Sequence, residues 1–192
     1  MATAPSPSCP RNAAPAPSAP LYDTMVTIKV GRQKQAFFAH KGLICNYSTY
    51  FKAAFHGQFR EATAGAVELD NDDVEVFKTF FGWMYTGKLF EPSSEPGKVP
   101  LTANLLAKIY VFGDARGIPD LKNAAIDAFV DKIIDDWNNV PASTIPYIYD
   151  NTPEDSKLRK LLVDMITYET LASGFTAFLR HVQGGVGTRG AT

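Results

Sequence analysis

Residues 36–90 carry large apolar side chains at spacings that only a packed mixture of strands and helices can bury. Phe51, Ala54 and Phe55 fall three and four apart, on one face of a helix. Ala66-Val-Glu-Leu69 alternates as a half-buried strand does. Val74, Phe77, Phe80, Phe81 and Met84 return to a helical period, and Gly87 supplies a stop. The titratable residues in this stretch are dispersed and offer no nucleophile beside a base. A segment built this way reads as a docking module, not as a reaction centre.

The flanking residues extend the pattern. Met25-Val-Thr-Ile-Lys-Val30 is alternating and β-branched, and Gln35-Ala-Phe-Phe-Ala39 is its return strand after a turn opened by Gly31. Short helices are expected from His40 to about Cys45 and from Ser48 to about Phe55, with Ser48 as N-cap of the second. A loop is expected from Gly57 to Gly65. Asp72 is expected to cap the following helix, with Glu75 completing a capping box. Glu91–Pro100 holds three prolines and two serines and reads as a surface loop.

Leu105, Leu106, Ile109, Tyr110 and Phe112 form a second apolar stripe beginning near Thr102, and Gly117 ends it. Pro119 suits the first turn of the next helix, whose inner face is Leu121, Ala125, Phe129 and Ile133. Residues 156–170 repeat the pattern with Leu158, Leu161, Leu162, Met165 and Ile166. Residues 1–20 hold six prolines, and fifteen of the twenty are Pro, Ala or Ser, so they cannot offset their own ordering entropy. The expected organisation is a disordered leader over 1–20, one α+β domain over 21–135, a helical extension over 140–182, and a flexible tail over 183–192.

Composition narrows function. With 192 residues, 45% of them apolar, and 13 Phe, the chain can bury a sizeable core. Its net charge is −1 and its basic residues are scattered, so no face suits nucleic acid or an anionic membrane. No apolar run approaches the roughly 20 residues of a membrane span. Of the two cysteines, Cys9 lies in the leader and Cys45 in an apolar helical context, so a disulfide is not expected and a reducing compartment, cytoplasm or nucleus, fits.

Several features invite chemistry and do not support it. His40 has only His56 and His181 as companions, and no Cys/His spacing resembles a zinc site, so its ring is expected at a helix start, partly buried and hydrogen-bonded. Asp70-Asn-Asp-Asp73 lacks the glycine of a calcium loop and reads as a capped helix start. Asn46-Tyr47-Ser48 is a formal sequon met by chance. Gly185-Val-Gly187-Thr-Arg-Gly190 spells a dinucleotide fingerprint, but no strand leads into it and two residues remain after it. No cofactor, no metal and no enzymatic activity are expected.

One family carries the same pieces in the same order. Phe37, His40-Lys41, Leu43, Ser48-Thr-Tyr-Phe51, Phe59-Arg60-Glu61, Val67-Glu-Leu69 and Tyr85-Thr-Gly87 resemble the successive motifs of a BTB/POZ domain. Tyr110-Val-Phe-Gly-Asp114 through Gly117-Ile-Pro-Asp-Leu121 resembles the helix pair that closes it, so the likeness spans about 23–135. Tyr147–Pro153 and Leu158–Asp164 resemble the tails of short BTB proteins of filamentous fungi.

The resemblance implies a BTB/POZ fold, a small mixed β-sheet flanked by a cluster of α-helices, with a C-terminal helical extension. It implies a protein–protein interaction module, an adaptor whose Phe59, Arg60 and Glu61 match the apolar-x-Glu element that holds a cullin scaffold of a ubiquitin ligase. It implies a second candidate interface at Lys41, opposite an acid for which Asp23 stands nearest. The alternative is a self-associating homo-oligomer without ligase contact. Zinc-finger and kelch members swap an extra leading helix into a dimer. Here the preceding segment is rich in proline, each interior Pro costs a helix about 3 kcal/mol, and that helix is not expected. No separate substrate-recruiting domain is expected in 192 residues, which leaves residues 140–182 or another chain to hold a substrate.

Overall fold

Strand β1 (Met25–Val30) is the centre of a three-stranded mixed sheet in the order β2-β1-β3. β2 (Gln35–His40) runs antiparallel to it, pairing Met25 with His40 and Val30 with Gln35. β3 (Ala66–Leu69) runs parallel to it, pairing Thr27 with Ala66 and Val30 with Leu69. This computed structural model describes residues 19–22, 24–91, 98–136 and 143–168. The fold class read from the sequence, an α+β arrangement with a small mixed sheet and a cluster of helices, is the one observed.

A 3-10 turn (Ala19–Tyr22) precedes the sheet, and three helices connect β2 to β3: α1 (Lys41–Tyr47), α2 (Thr49–His56) and α3 (Arg60–Ala64). Ser48 caps α2 as expected, its hydroxyl accepting the Phe51 N–H at 3.2 Å. His40 closes β2 and is the N-cap of α1, so α1 begins one residue later than expected and runs two further. The span from Gly57 to Gly65 is not loop throughout, because α3 forms one turn inside it.

α4 (Val74–Thr86) follows β3 and ends at Gly87. Its cap is Asp73, whose carboxylate accepts the Glu75 N–H at 2.9 Å. The expected Asp72 cap is therefore corrected by one residue. Asp72 instead forms an ion pair with Arg116, and the expected capping box does not form at that register. Val76 and Trp83 join the buried face, whereas Val74 and Phe81 are only half-buried.

α5 (Ala103–Ala115) is capped by Thr102, which accepts the Leu105 N–H at 3.2 Å. It folds back through Gly117 onto α6 (Pro119–Asp136). Gly117 has φ +59, and a Cβ there would sit 2.0 Å from Thr49 Oγ1, so this corner admits only glycine on both counts. Leu121, Ala125, Phe129 and Ile133 are all buried, as their spacing predicts.

Aromatic rings dominate the core. Phe80 is fully buried among Phe51, Phe77, Trp83 and Phe112, with centroid separations of 5.4–6.4 Å. Each such burial is worth about 1.5–3 kcal/mol, against about 0–1 for an exposed ion pair such as Lys88–Glu91. Packing, not charge, holds the fold.

The chain divides into two compact units, Met1–Pro141 and Ala142–Thr192. The second contains α7 (Thr144–Asn151) and a helix, α8, described over residues 157–168. Arg159 ties the two helices together. Its guanidinium lies 4.9 Å from the Tyr149 ring centroid and donates to Thr152 Oγ1 at 3.0 Å and to the Thr152 carbonyl. Leu158 and Leu162 are buried, whereas Ile166 lies at the exposed end of the predicted stripe. Residues 1–18 of the leader expected over 1–20, the tail over 183–192 and most of the loop Glu91–Pro100 lie outside the described residues, and Ala19 and Pro20 open the 3-10 turn.

Candidate functional site

α2 presents two faces with different tasks. Phe51 and Phe55 turn into the core, and Lys52, Ala53 and His56 stay outside. The helix stops at Gly57, and two residues on Phe59 comes back over its end. A Cβ on Gly57 would lie 2.5 Å from the Ala53 carbonyl oxygen and 2.8 Å from the Phe59 ring. Only a missing side chain allows that approach, so Gly57 sets where the ring stands.

Phe59 nonetheless keeps 61% of its surface in solvent. It precedes α3 without a side-chain cap, and its carbonyl accepts the Ala62 N–H at 3.1 Å. Arg60 is exposed and Glu61 is half-buried in the first turn. The three residues predicted to act together stand at one helix start: an exposed ring, a guanidinium and a carboxylate. Such a triplet can seat an aromatic anchor in a partner's apolar recess while the carboxylate orients the contact.

α2 is held from its other end by the α5–α6 corner. Ser48 Oγ donates to the Arg116 carbonyl at 2.6 Å, and the Thr49 N–H donates to the Gly117 carbonyl at 3.3 Å. The Arg116 guanidinium lies 4.4 Å from the Tyr50 ring centroid and pairs with Asp72. Sequence reasoning missed this Asp72–Arg116 tie. An acid and a base 44 residues apart carry no periodic signal.

Between the two helical corners lies an open cleft of about 410 Å³ lined by Cys45, Tyr47, Thr49, Lys52, Pro119 and Asp120, among others. Cys45 is its only thiol. Burial pushes that thiol above its usual range, against a smaller opposite pull from Lys41 and Lys52, and Sγ donates to the Phe51 carbonyl at 3.5 Å. A protonated thiol is a poor nucleophile, so Cys45, buried in its apolar helical context, behaves as a small hydrophobe.

His40 is held structurally too. Its ring contacts Tyr22 edge-on at 5.1 Å, and Nδ1 lies 2.9 Å from the Tyr85 hydroxyl. That hydroxyl also accepts the His40 backbone N–H at 3.2 Å. Tyr85 was not singled out as a partner from sequence. The signal was its place one turn after Phe81, on the α4 face that meets β2. Lys41 is half-buried at the start of α1, and its backbone N–H donates to the Thr24 carbonyl at 2.7 Å. Asp23, its proposed counterpart, lies outside the described residues. Among the described residues no group of three or more His, Cys, Asp or Glu could hold a metal ion.

The family comparison agrees with this architecture. Residues 22–112 match the model of the BTB/POZ domain. The matched stretch is a little under half of the chain. Among curated proteins it is similar to two of mouse. It is 30% identical to TD and POZ domain-containing protein 4 over 109 residues, 57% of this chain and 26% of that protein. It is 25% identical to TD and POZ domain-containing protein 1 over 132 residues, 69% of this chain and 33% of that protein. The chain thus spans a third or less of the length of these relatives. Among solved structures it is similar to the BTB domain of human gigaxonin, with 13% identity and a TM-score of 0.40 over 57% of this chain and 78% of that one. A BTB/POZ domain is a protein–protein interaction module. Among the described residues no helix is long and apolar enough to cross a membrane.

Proposed function

We propose that this BTB/POZ domain is an adaptor that docks a cullin-type ubiquitin-ligase scaffold through Phe59, Arg60 and Glu61. One observation carries the reading: Phe59 is large, aromatic and 61% exposed, with its ring standing close over Gly57. A solvent-exposed aromatic has few rotatable bonds to freeze on binding, which is what an interface anchor needs. Glu61, two residues on in the same turn, gives the contact a direction. Unit two is a second contact surface, with Tyr149, Val163 and Tyr168 exposed on it. In its BTB domain and its 147–164 tail the chain is of the type of the short fungal BTB proteins. The cytoplasm or nucleus suits it, because Cys45 is free and reduced there.

The test is titration of the full chain with the N-terminal domain of a cullin, by calorimetry. Replacing both Phe59 and Glu61 by Ala should weaken binding about tenfold or more, the effect of losing one anchor residue. The melting temperature should hold, because the ring is outside the core. An unchanged affinity would remove this surface from the interface.

A further inference from the structure

The 3-10 turn ahead of β1 is clamped onto α1. Tyr22 sets its ring edge-on to His40, with centroids 5.1 Å apart. One residue earlier, the Leu21 Cα stands 2.7 Å from where a Cβ on Gly42 would be, so only a bare glycine admits the turn there. Traced backward from Tyr22 to Leu21, the chain thus advances along α1 from residue 40 to residue 42. At 1.5 Å per residue, the last residues of α1, Cys45 to Tyr47, lie about 5–8 Å further on. They line the cleft of about 410 Å³ that Lys52 of α2 and Pro119 and Asp120 of α6 also line. Turn and cleft both belong to the first compact unit.

The cleft is rich in donors. The Asn46 amide and the Lys52 ammonium line it, and both residues are exposed. Burial pushes the Tyr47 hydroxyl above its usual range, and Asp120 and Tyr22 push the same way, so the hydroxyl keeps its proton at neutral pH. Tyr47 and Pro119 add flat apolar surface, and the Asp120 carboxylate is exposed to solvent. Such a wall fits an extended segment with many acceptors and few donors. Residues 13–18, Ala-Ala-Pro-Ala-Pro-Ser, have that chemistry. Each proline lacks an N–H, and a polyproline II backbone leaves its carbonyls without internal partners. Aromatic-lined grooves take proline-rich segments in this way.

We infer that this cleft seats the chain's own leader, residues 13–18 lying extended between the end of α1 and the start of α6 of the same molecule. Direction, reach and concentration select that occupant. The clamp at Gly42 heads the leader along α1 toward the cleft. A polyproline II segment gains about 3.1 Å per residue, so six residues cover about 19 Å, more than the approach requires. Tethering keeps the segment at an effective concentration in the millimolar range, which a free segment of another protein has to match. Alone, the leader cannot offset its ordering entropy; seated here, it gains ring contact and hydrogen bonds. A partner that presents a proline-rich segment therefore meets a filled site and has to displace the leader. The inference does not rest on the cullin reading.

Nitrogen-15 relaxation of the full chain tests it. In wild type the Ala14 and Ala16 amides should show order parameters near the roughly 0.85 of folded backbone, and dilution should leave them there. Asn46→Asp/Lys52→Glu turns two donors of the cleft into acceptors and should drop both amides below about 0.6. Pro15→Gly/Pro17→Gly leaves the cleft intact, removes the extended bias of the leader and should do the same. Asn46 and Lys52 are exposed, and an unchanged amide spectrum for the core residues verifies folding. Mobile Ala14 and Ala16 amides in wild type would overturn the proposal, since the cleft is then empty or kept for another protein. Order that survives either double substitution would overturn it too. So would order that fades on dilution, which would assign the cleft to the leader of a second copy.

Discussion

Gly117 shows how a single position can carry two independent constraints. Its φ of +59 disfavours any side chain by about 1–2 kcal/mol, and its missing Cβ leaves room for Thr49 Oγ1. Gly117→Ala should therefore lower the unfolding free energy by about 2 kcal/mol or more, measured by urea denaturation. Adding Thr49→Ala should recover the steric part and leave the backbone part, so the two substitutions must be non-additive. Full additivity would mean that the corner relaxes away from Thr49. The His40–Tyr85 contact makes a smaller claim. Tyr85→Phe removes the acceptor of the His40 N–H and should cost about 1 kcal/mol in the same assay.

At the scale of elements, α4 depends on its cap. Asp73→Ala should destabilise the fold by about 1 kcal/mol, whereas Asp73→Asn keeps the capping oxygen. The two differ with pH. The Lys108 ammonium, hydrogen-bonded to Asp73 at 2.8 Å, and the Glu75 backbone N–H hold its carboxyl below the usual carboxylate range. A folded pKa below the unfolded one gives stability that is full above the unfolded value near ~4 and is lost as pH falls through the folded value. Unfolding measured from neutral to strongly acidic pH should show a shallower acid slope for Asp73→Asn than for wild type. The difference will be small, since the pair is part-exposed and screened. An identical slope would remove Asp73 from the acid response. The existence of α4 and the Phe77, Phe80 and Met84 part of its apolar face were legible from period, and its stop from the glycine at 87, whereas Val76 and Trp83 were not picked out. The choice of Asp73 over Asp72 was not, because Asp70-Asn-Asp-Asp73 offers adjacent carboxylates and Arg116, distant in sequence, claims one of them. The Phe59-Arg60-Glu61 triplet was visible as a motif, but the short α3 that holds it was not, because five residues are too few for a period to register.

For the whole molecule, the question is which part can stand alone. The sheet buries Val26, Ile28 and Val30 of β1 on the face that also carries Phe37, and Phe37 meets Phe77 of α4 at 4.8 Å. α4 meets α5 through Phe77–Phe112 and Phe80–Phe112 at 6.0 and 5.4 Å, and α5 folds back on α6. Every contact in that chain of packing lies before Pro141, inside the first unit. A chain ending at Pro141 should therefore keep one cooperative thermal transition and a near-ultraviolet circular dichroism spectrum set by its fixed rings. Phe80→Ala in the same truncated chain should cost about 3–5 kcal/mol, a large share of the roughly 5–15 kcal/mol that a domain commands. Its loss of cooperativity would mark Phe80 as the centre of that unit. A truncated chain with helical far-ultraviolet signal but no near-ultraviolet signal would be a molten state. The packing order from sheet to α4 to α5 to α6 would then be insufficient to fix the side chains, and residues beyond Pro141 would have to be part of the core.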